Sequence, residues 1–472
     1  MTAIPSRVRL VALSSVLLAA GCASVPDDAG FSSVSQAVSE RLDKTINWNQ
    51  GDGPDEATLT RIHELLAKPL TPDSAVQLAL LNSPAMQSTY EDLGFAAASL
   101  SQAGRPKNPL LGGLWLHPRD GAPTARDFDV RFDLLDLLLI PMRIEIAEGE
   151  FESTKQMVTG QVMDYAALVR KAFYEMQAAV HREGMFNEVA ESAAASFDTA
   201  SRLRRIGNIS ELTFNRYQLA NEEAKLSLAD AKLAVVERRE ALNQLMGIQD
   251  DQGQWSVGSG LPPIPVDPIN LDELMRRATD VSMDLEASRQ RIRALEEQLS
   301  VTGVQSVLED LEVGYAWDEE SSGEWKDGPS IEFKLPIFDQ GQGERGMARA
   351  MLNKARADYQ AQQIALASSA RSLTEKLRTT RAKLDRMIEA LLPLSRNIFE
   401  GMLLEYNAMQ VDVFRLLRAF DTQVAIRQRF IDTLRDYWLL RADLETLLSG
   451  RSIEMAASSG PAMSGGGNDG GH

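Results

Sequence analysis

Apolar residues recur every seven positions along much of this chain. In the first half the spacing is kept by four leucines, Leu212, Leu219, Leu226 and Leu233. In the second half one stripe contains Leu352, Tyr359, Leu366, Leu373, Thr380, Met387 and Leu394, and a parallel stripe contains Leu377, Leu384, Leu391 and Ile398. A period of 3.5 is typical of coiled coils, and two stripes on one helix predict two helical neighbours, as in a closed ring of helices.

The stretches that keep this period predict unusually long helices. Residues 144–206 and 342–404 each cover 63 residues, about 95 Å at 1.5 Å per residue. Globular helices average about 12 residues, so an ordinary globular domain is not expected. Pro393 lies inside the second stretch, where we expect it to kink the helix.

Apolar and polar residues alternate in shorter segments between these helices. Val130, Phe132 and Leu134 alternate with charged residues, and the odd positions of 331–337 are apolar. Such alternation is typical of outer-membrane barrel strands, although a one-sided sheet on a soluble core has the same pattern. We expect two hairpins, residues 107–138 turning at 119–123 and residues 311–338 turning through 318–328. Four strands cannot close a barrel, so several chains would have to share one, because a bilayer tolerates no open sheet edge.

The chain contains an internal repeat with an offset near 200 residues. The segments that align are 79–86 with 278–285, 130–134 with 331–335, and 206–212 with 408–414. Each half predicts a helix, two strands, a very long helix, a tip and a long helix. We therefore divide the chain into a signal peptide (1–21), an N-terminal segment (22–70), a first repeat (71–247), a linker (248–270), a second repeat (271–450) and a Gly/Ser-rich tail predicted to be disordered (451–472).

The amino terminus has the pattern of a bacterial secretory signal. Arg7 and Arg9 precede a mostly apolar run of 11 residues, Leu10–Ala20, too short to span a bilayer, which needs about 20 residues. Residues 18–22, Leu-Ala-Ala-Gly-Cys, resemble a lipobox, which implies that the thiol of Cys22 is acylated and anchors the chain. An ordinary signal peptide with an incidental cysteine is the alternative.

Composition excludes several classes of function. A net charge of −18 disfavours binding to nucleic acid, whose phosphates require clustered cations. A single cysteine permits no intrachain disulfide, and four scattered histidines show no metal-ligand spacing. The G-x-G-x-x-G of residues 341–346 resembles a dinucleotide motif, but no parallel βαβ unit is expected around it. We therefore expect no enzyme activity, no cofactor and no metal site.

Four motifs in order resemble the TolC-like outer-membrane efflux proteins over about residues 70–450. They are the opening 70–80, the strand end 336–341 and the two tip segments 205–212 and 406–413. The resemblance implies an α+β membrane protein in the outer membrane of a Gram-negative bacterium. It would be a homotrimer whose twelve strands close one transmembrane β-barrel, continued by a periplasmic α-helical coiled-coil barrel. The implied partners are a periplasmic adaptor protein, an inner-membrane pump and outer-membrane lipid.

The tips are the candidate contact with the adaptor, through Gly207, Asn208, Met409 and Gln410. Met409 departs from the family pattern, which usually has glycine at this position.

The tips are also the candidate periplasmic gate. Asp412 is the acid we favour, with Glu211 placed at the corresponding position of the first repeat and Glu405 one to two turns away. Threefold symmetry would turn an inward-facing acid into a ring that attracts cations. Nearby arginines leave open that salt bridges hold the mouth shut instead.

The function these observations favour is a passive outer-membrane exit duct of a tripartite efflux system, exporting small molecules or metal ions. Two alternatives remain: the exit duct of a type I protein-secretion system, and a lipid-anchored periplasmic coiled-coil scaffold without a pore.

Overall fold

The computed structural model describes residues 28–50, 53–117, 124–249, 255–265, 282–305, 312–319, 323–332 and 341–452. The predicted signal peptide, Cys22, the hairpin turn 119–123, residues 336–340 and the tail beyond 452 lie outside these residues. Within them, none of the helices combines the length and the apolar character that crossing a bilayer would require.

The described elements of the second half follow the order of those in the first half, which has three additional helices at its start. The helices of the first half are α1 (Phe31–Leu42), α2 (Glu56–Leu66), α3 (Pro72–Asn82), α4 (Pro84–Ala103), α5 (Leu134–Arg205) and α6 (Glu211–Met246). Those of the second half are α7 (Met283–Gln305), α8 (Gln342–Arg386), a π-helical turn (Met387–Leu391), α9 (Leu392–Asn407) and α10 (Val413–Leu448). The strands are β1 (Leu110–Leu116), β2 (Ala125–Asp133), β3 (Glu312–Glu319) and β4 (Trp325–Glu332). The fold is mostly helical with one small sheet, as expected.

The four strands form one sheet in the order β1-β2-β3-β4, in which every pair is antiparallel. The two hairpins are joined by pairing of β2 with β3, where Val130 faces Tyr315. Both predicted strand pairs are present, and β4 ends at Glu332 in the described chain. The predicted turn 318–328 is too long, because β3 extends to Glu319 and β4 begins at Trp325. Since the sheet has no parallel strand pair, the glycine-rich segment 341–346 does not belong to a dinucleotide-binding unit here; it lies at the start of α8.

The first long helix begins ten residues earlier than predicted. We placed Leu134 on the strand, but it is the first residue of α5. The Asp133 carboxylate accepts a hydrogen bond from the Asp136 backbone N–H at 2.8 Å and so caps the helix. The alternation of Val130, Phe132 and Leu134 with charged residues hid this start, because it continues the pattern of the strand through Leu134.

The second long helix is interrupted at the predicted proline. A π-helical turn over Met387–Leu391 precedes α9, whose first turn contains Pro393. Pro393 has no N–H to donate, and a π turn is a common way to accommodate such a break. The turn also changes the exposed face: Leu384 and Met387 are buried, whereas Leu394 is 55% exposed.

The chain folds as two compact units. The sheet unit comprises residues 1–37, 88–159 and 285–363, and the tip unit comprises residues 38–87, 160–284 and 364–472. A small core of the sheet unit joins α4 and α5 through Ala97, Leu100, Ala147 and Phe151. In the tip unit the largest fully buried side chains include Phe173, Met176, Leu242, Met246 and Tyr437.

The motif at 70–80 forms the start of α3. Thr71 and Ser74 form a reciprocal capping box, and Pro72 lies in the first turn. The apolar residues that follow are buried, so this motif is explained by helix initiation and packing.

The described part of the predicted linker, residues 255–265, packs onto the helices of the tip unit. The Trp255 indole N–H donates to Asn243 at 2.8 Å, and the Arg239 guanidinium lies over the Trp255 ring. Further along, Trp438 donates to the Pro262 carbonyl at 2.9 Å. The segment is therefore ordered and packed against the helices, although its prolines are typical of a linker.

Candidate functional site: the two helical tips

The tips are the turns between α5 and α6 and between α9 and α10, and both lie in the tip unit. At the first tip the Asn208 N–H donates to the Leu203 carbonyl at 2.9 Å and the Gly207 N–H donates to the Arg204 carbonyl at 3.0 Å. These two bonds define a Schellman motif. Gly207 has φ +79°, the left-handed conformation that glycine adopts without steric cost.

The second tip has the same hydrogen bonds with methionine in place of glycine. The Gln410 N–H donates to the Glu405 carbonyl at 2.9 Å, and the Met409 N–H donates to the Tyr406 carbonyl at 3.0 Å. Met409 has φ +58°, a conformation that costs a side-chain-bearing residue about 1–2 kcal/mol. The departure from the family pattern therefore leaves the turn geometry unchanged and adds backbone strain.

Each tip is followed by a helix with a polar cap. Ser210 accepts a hydrogen bond from the Thr213 N–H at 3.1 Å, and Asp412 accepts one from the Arg415 N–H at 3.0 Å. Asp412 thus corresponds to Ser210, and the equivalence we assigned to Glu211 is wrong. The reason is that the helix start fixes the register: the caps are Ser210 and Asp412, whereas Glu211 is the first residue of α6.

The three candidate gate acids are exposed but differ in their partners. Glu211 lies 3.6 Å from the Arg204 guanidinium within the first tip. Asp412 caps its helix and, among the described residues, forms no ion pair. Glu405 is exposed on the last turns of α9. The chain brings none of these acids into a common cluster, so a ring of carboxylates would require several copies.

The sequence analysis missed the side chains that join the two tips. The hydroxyl groups of Tyr217 and Tyr406 are 3.0 Å apart, linking α6 to α9, and Arg216 lies over the ring of Phe414. Burial and the hydrogen bond to Tyr406 raise the pKa of Tyr217, so this link is a neutral one at physiological pH. The available signal was the concentration of aromatic residues beside the turns.

The two helices on either side of each tip (α5 and α6, and α9 and α10) form a helical hairpin. A pair of phenylalanine side chains joins the two helices of each helical hairpin near its tip. Phe197 and Phe214 lie 5.7 Å apart between ring centroids, as do Phe399 and Phe420. Such aromatic contacts hold the two helices of each hairpin together.

One of the predicted stripes faces away from the rest of the chain. Leu212, Leu219, Leu226 and Leu233 are 58–67% exposed, although their spacing is that of a coiled-coil contact. By contrast, Leu352, Leu366 and Leu373 of the second half are buried. The first stripe therefore has the spacing of an interface without a partner helix in the same chain.

The described residues hold no group of three or more histidine, cysteine, aspartate or glutamate side chains arranged to bind a metal ion. What the tips can do chemically is to present a hydrogen-bonded turn, exposed apolar residues and charges of both signs.

Comparison with known proteins gives relatives with similar architecture, although no family model matches the chain. The cobalt-zinc-cadmium resistance protein CzcC of Cupriavidus metallidurans is 24% identical over 386 residues, which cover 81% of this chain and 90% of CzcC. The Campylobacter jejuni CmeC outer membrane channel has a TM-score of 0.68 at 16% identity, covering 81% of this chain and 86% of that one. A membrane protein from Pseudomonas aeruginosa has a TM-score of 0.65 at 19% identity, covering 83% and 90%. At these identities the structural likeness shows a shared fold.

Proposed function

We propose that this chain, whose predicted resemblance to the TolC-like outer-membrane efflux proteins is confirmed by the comparisons, forms the outer-membrane exit duct of a tripartite efflux system. The duct is passive and exports small molecules or metal ions. The name of CzcC, a cobalt-zinc-cadmium resistance protein, favours metal ions as cargo.

The observation that carries the proposal is a four-stranded sheet with two open edges. β1 and β4 each pair with one neighbour only, so each leaves a row of backbone N–H and C=O groups that a bilayer cannot satisfy. Pairing of β4 with β1 of another copy removes both edges. Three copies would close a twelve-stranded barrel with no edge left.

The two faces of the sheet support this arrangement. The register places Val130, Phe132, Tyr315, Trp317 and Ile331 on one face, whose apolar residues are expected to meet lipid. Arg126, Glu319 and Asp327 share this face near the hairpin turns. On the same face, the row nearest the hairpin turns has Trp115 at one edge and Trp325 at the other. Tryptophan at this level is typical of the membrane–water interface.

The opposite face is mostly polar on β2, β3 and β4, as expected for a water-filled lumen, whereas β1 contributes Leu110, Leu114 and Leu116 to it. It contains Asp127, Asp129 and Arg131 of β2. The Arg131 guanidinium lies 2.6 Å from Asp129, 3.3 Å from Glu312 and 3.1 Å from Glu332. This ion-pair network joins β2, β3 and β4 on the side that would line the duct.

The exposed surfaces of the helices indicate which partners the chain would contact. The exposed stripe of α6 suits a contact between copies in a homotrimer, with the helices forming a periplasmic barrel. The two tips would then contact a periplasmic adaptor, which couples the duct to an inner-membrane pump. Gly207, Asn208, Met409 and Gln410 remain the residues proposed for that contact.

Single-channel recording distinguishes the proposed exit duct from the alternative of a periplasmic scaffold without a pore. The purified protein in planar bilayers should produce discrete conductance steps, because the shared barrel encloses a continuous aqueous lumen. A protein that inserts into the bilayer without conductance would contradict the duct and favour the scaffold. Export of a large unfolded polypeptide, rather than small solutes, would favour the protein-secretion alternative.

Acylation of Cys22 is tested separately in intact cells. Cys22→Ala should abolish incorporation of radiolabelled palmitate, since this is the only thiol in the chain. Conductance should partly survive, because the shared barrel holds the protein in the membrane without the lipid. Undiminished labelling of the variant would rule out the lipid anchor.

A further inference from the structure

Met409 combines a strained backbone with a side chain that has no support from the rest of the chain. Its φ of +58° lies in the left-handed region, and the residue is 94% exposed. No packing within the chain therefore offsets the strain. Gly207, at the equivalent turn, shows that the same hydrogen bonds form with glycine. Strain kept at an exposed site, where a neutral alternative exists, indicates a function outside the folding of the chain.

Other apolar residues at the two tips are exposed as well. Ile206, Leu212 and Leu404 are 61–71% exposed near the two turns. A flexible thioether at the apex of such a surface can fit an irregular apolar pocket. The tips therefore expose apolar side chains to water, which is unfavourable for the isolated chain.

The charge at the tips is opposite to that of the chain. Segments 198–216 and 405–418 together carry a net charge of +2, whereas the whole chain carries −18. The acids of the first segment are both paired, Asp198 with Arg202 at 2.6 Å and Glu211 with Arg204 at 3.6 Å. Among the described residues, Arg205, Arg415 and Arg418 form no ion pair. These arginines would attract a partner surface that carries carboxylates.

We propose that Met409 is a specificity-determining residue of the tips, which inserts into an apolar pocket on a periplasmic partner protein whose rim carries carboxylates. The proposal rests on the proposed function, because it assumes that the tips contact an adaptor. It adds that Met409 selects the partner and that its backbone strain destabilises the turn. Replacing it should therefore stabilise the chain and weaken the complex, whereas a purely structural residue would change both in the same direction.

The experiment uses the full-length protein in two steps. A photo-crosslinking amino acid at Gln410, next to Met409, captures the contacting protein in intact cells of the source bacterium. The captured partner is then purified and titrated against the purified wild-type protein and its variants. Met409→Gly and Met409→Asn keep the left-handed turn and remove the apolar side chain; Met409→Leu keeps an apolar side chain of similar size.

We expect Met409→Gly and Met409→Asn to raise the dissociation constant about tenfold or more, the range for loss of a buried apolar anchor. Met409→Leu should stay within about threefold. Met409→Gly should also raise the midpoint of thermal unfolding, and the matched variant Gly207→Met should lower it, since each changes the strain at a left-handed position.

Equal affinity of the glycine variant and the wild type would overturn the proposal, as would an unchanged unfolding midpoint. Crosslinking only to a second copy of this chain, or no crosslinking at all, would overturn it too. These failures are distinct from failure of the duct, because the duct is contradicted only when the wild-type protein itself lacks conductance.

Discussion

Replacing Leu219 and Leu226 together by aspartate is expected to abolish the proposed trimer. Both leucines belong to the exposed stripe on α6, so the charges should cost the isolated chain little, within about 1 kcal/mol. In an interface between copies, the same charges would be buried without partners, and the assembly should be lost. Light scattering in detergent should then report a monomer, and conductance in planar bilayers should disappear.

The control variant adds a charge to the same helix outside the stripe. Gln218 is exposed and lies about 100° around the helix from Leu219. Gln218→Asp should leave both the oligomer and the conductance intact. A leucine-to-aspartate variant that remains trimeric would show that the stripe is not the contact between copies.

Replacing Asp412 by serine is expected to lower cation selectivity without loosening the tip. Ser210 caps the equivalent helix through its hydroxyl group, so serine should preserve the cap of α10 while removing the negative charge. If the three copies of Asp412 line the mouth, the ratio of cation to anion permeability in planar bilayers should fall several-fold. The unfolding midpoint should stay close to that of the wild type.

A second variant at this position separates charge from capping. Asp412→Ala removes both and should cost about 1 kcal/mol of stability, with the same loss of selectivity as serine. If Asp412 instead pairs with an arginine of a neighbouring copy, both variants should raise conductance by loosening the closure. No change in selectivity or in conductance would remove Asp412 from the gate.

Much of the site was predictable because turns and caps are local. The tip segments 205–212 and 406–413 were located from sequence, and both form the turns between long helices. The sequence aligned Gly207 with Met409, but the left-handed conformation that the two residues share is seen only in the structure. The assignment of Glu211 as the equivalent of Asp412 is wrong, because the alignment of 206–212 with 408–414 already pairs Ser210 with Asp412, and the helix caps have the same register.

The contacts between the tips were not predictable in the same way. The link between Tyr217 and Tyr406 joins residues 189 positions apart, and no local pattern specifies such a pairing. The same is true of Arg216 and Phe414. These contacts depend on how the two helical hairpins pack against each other, which is a property of the tertiary structure.

By itself the sequence determined the repeated order of elements, the two hairpins and the long helices, because hydrophobic period and turn residues act over a few positions. The tertiary structure decided three other features. It started α5 at Leu134, where the Asp133 cap outweighed the strand-like alternation. It buried Leu352, Leu366, Leu373 and Met387 of the second-half stripe and left Leu212, Leu219, Leu226 and Leu233 exposed, although both stripes have the same spacing. It also joined the two β-hairpins by pairing β2 with β3, which leaves β1 and β4 as the edges of the sheet. Periodicity reports that a face is apolar, but only the packing of distant segments decides which element, if any, covers it.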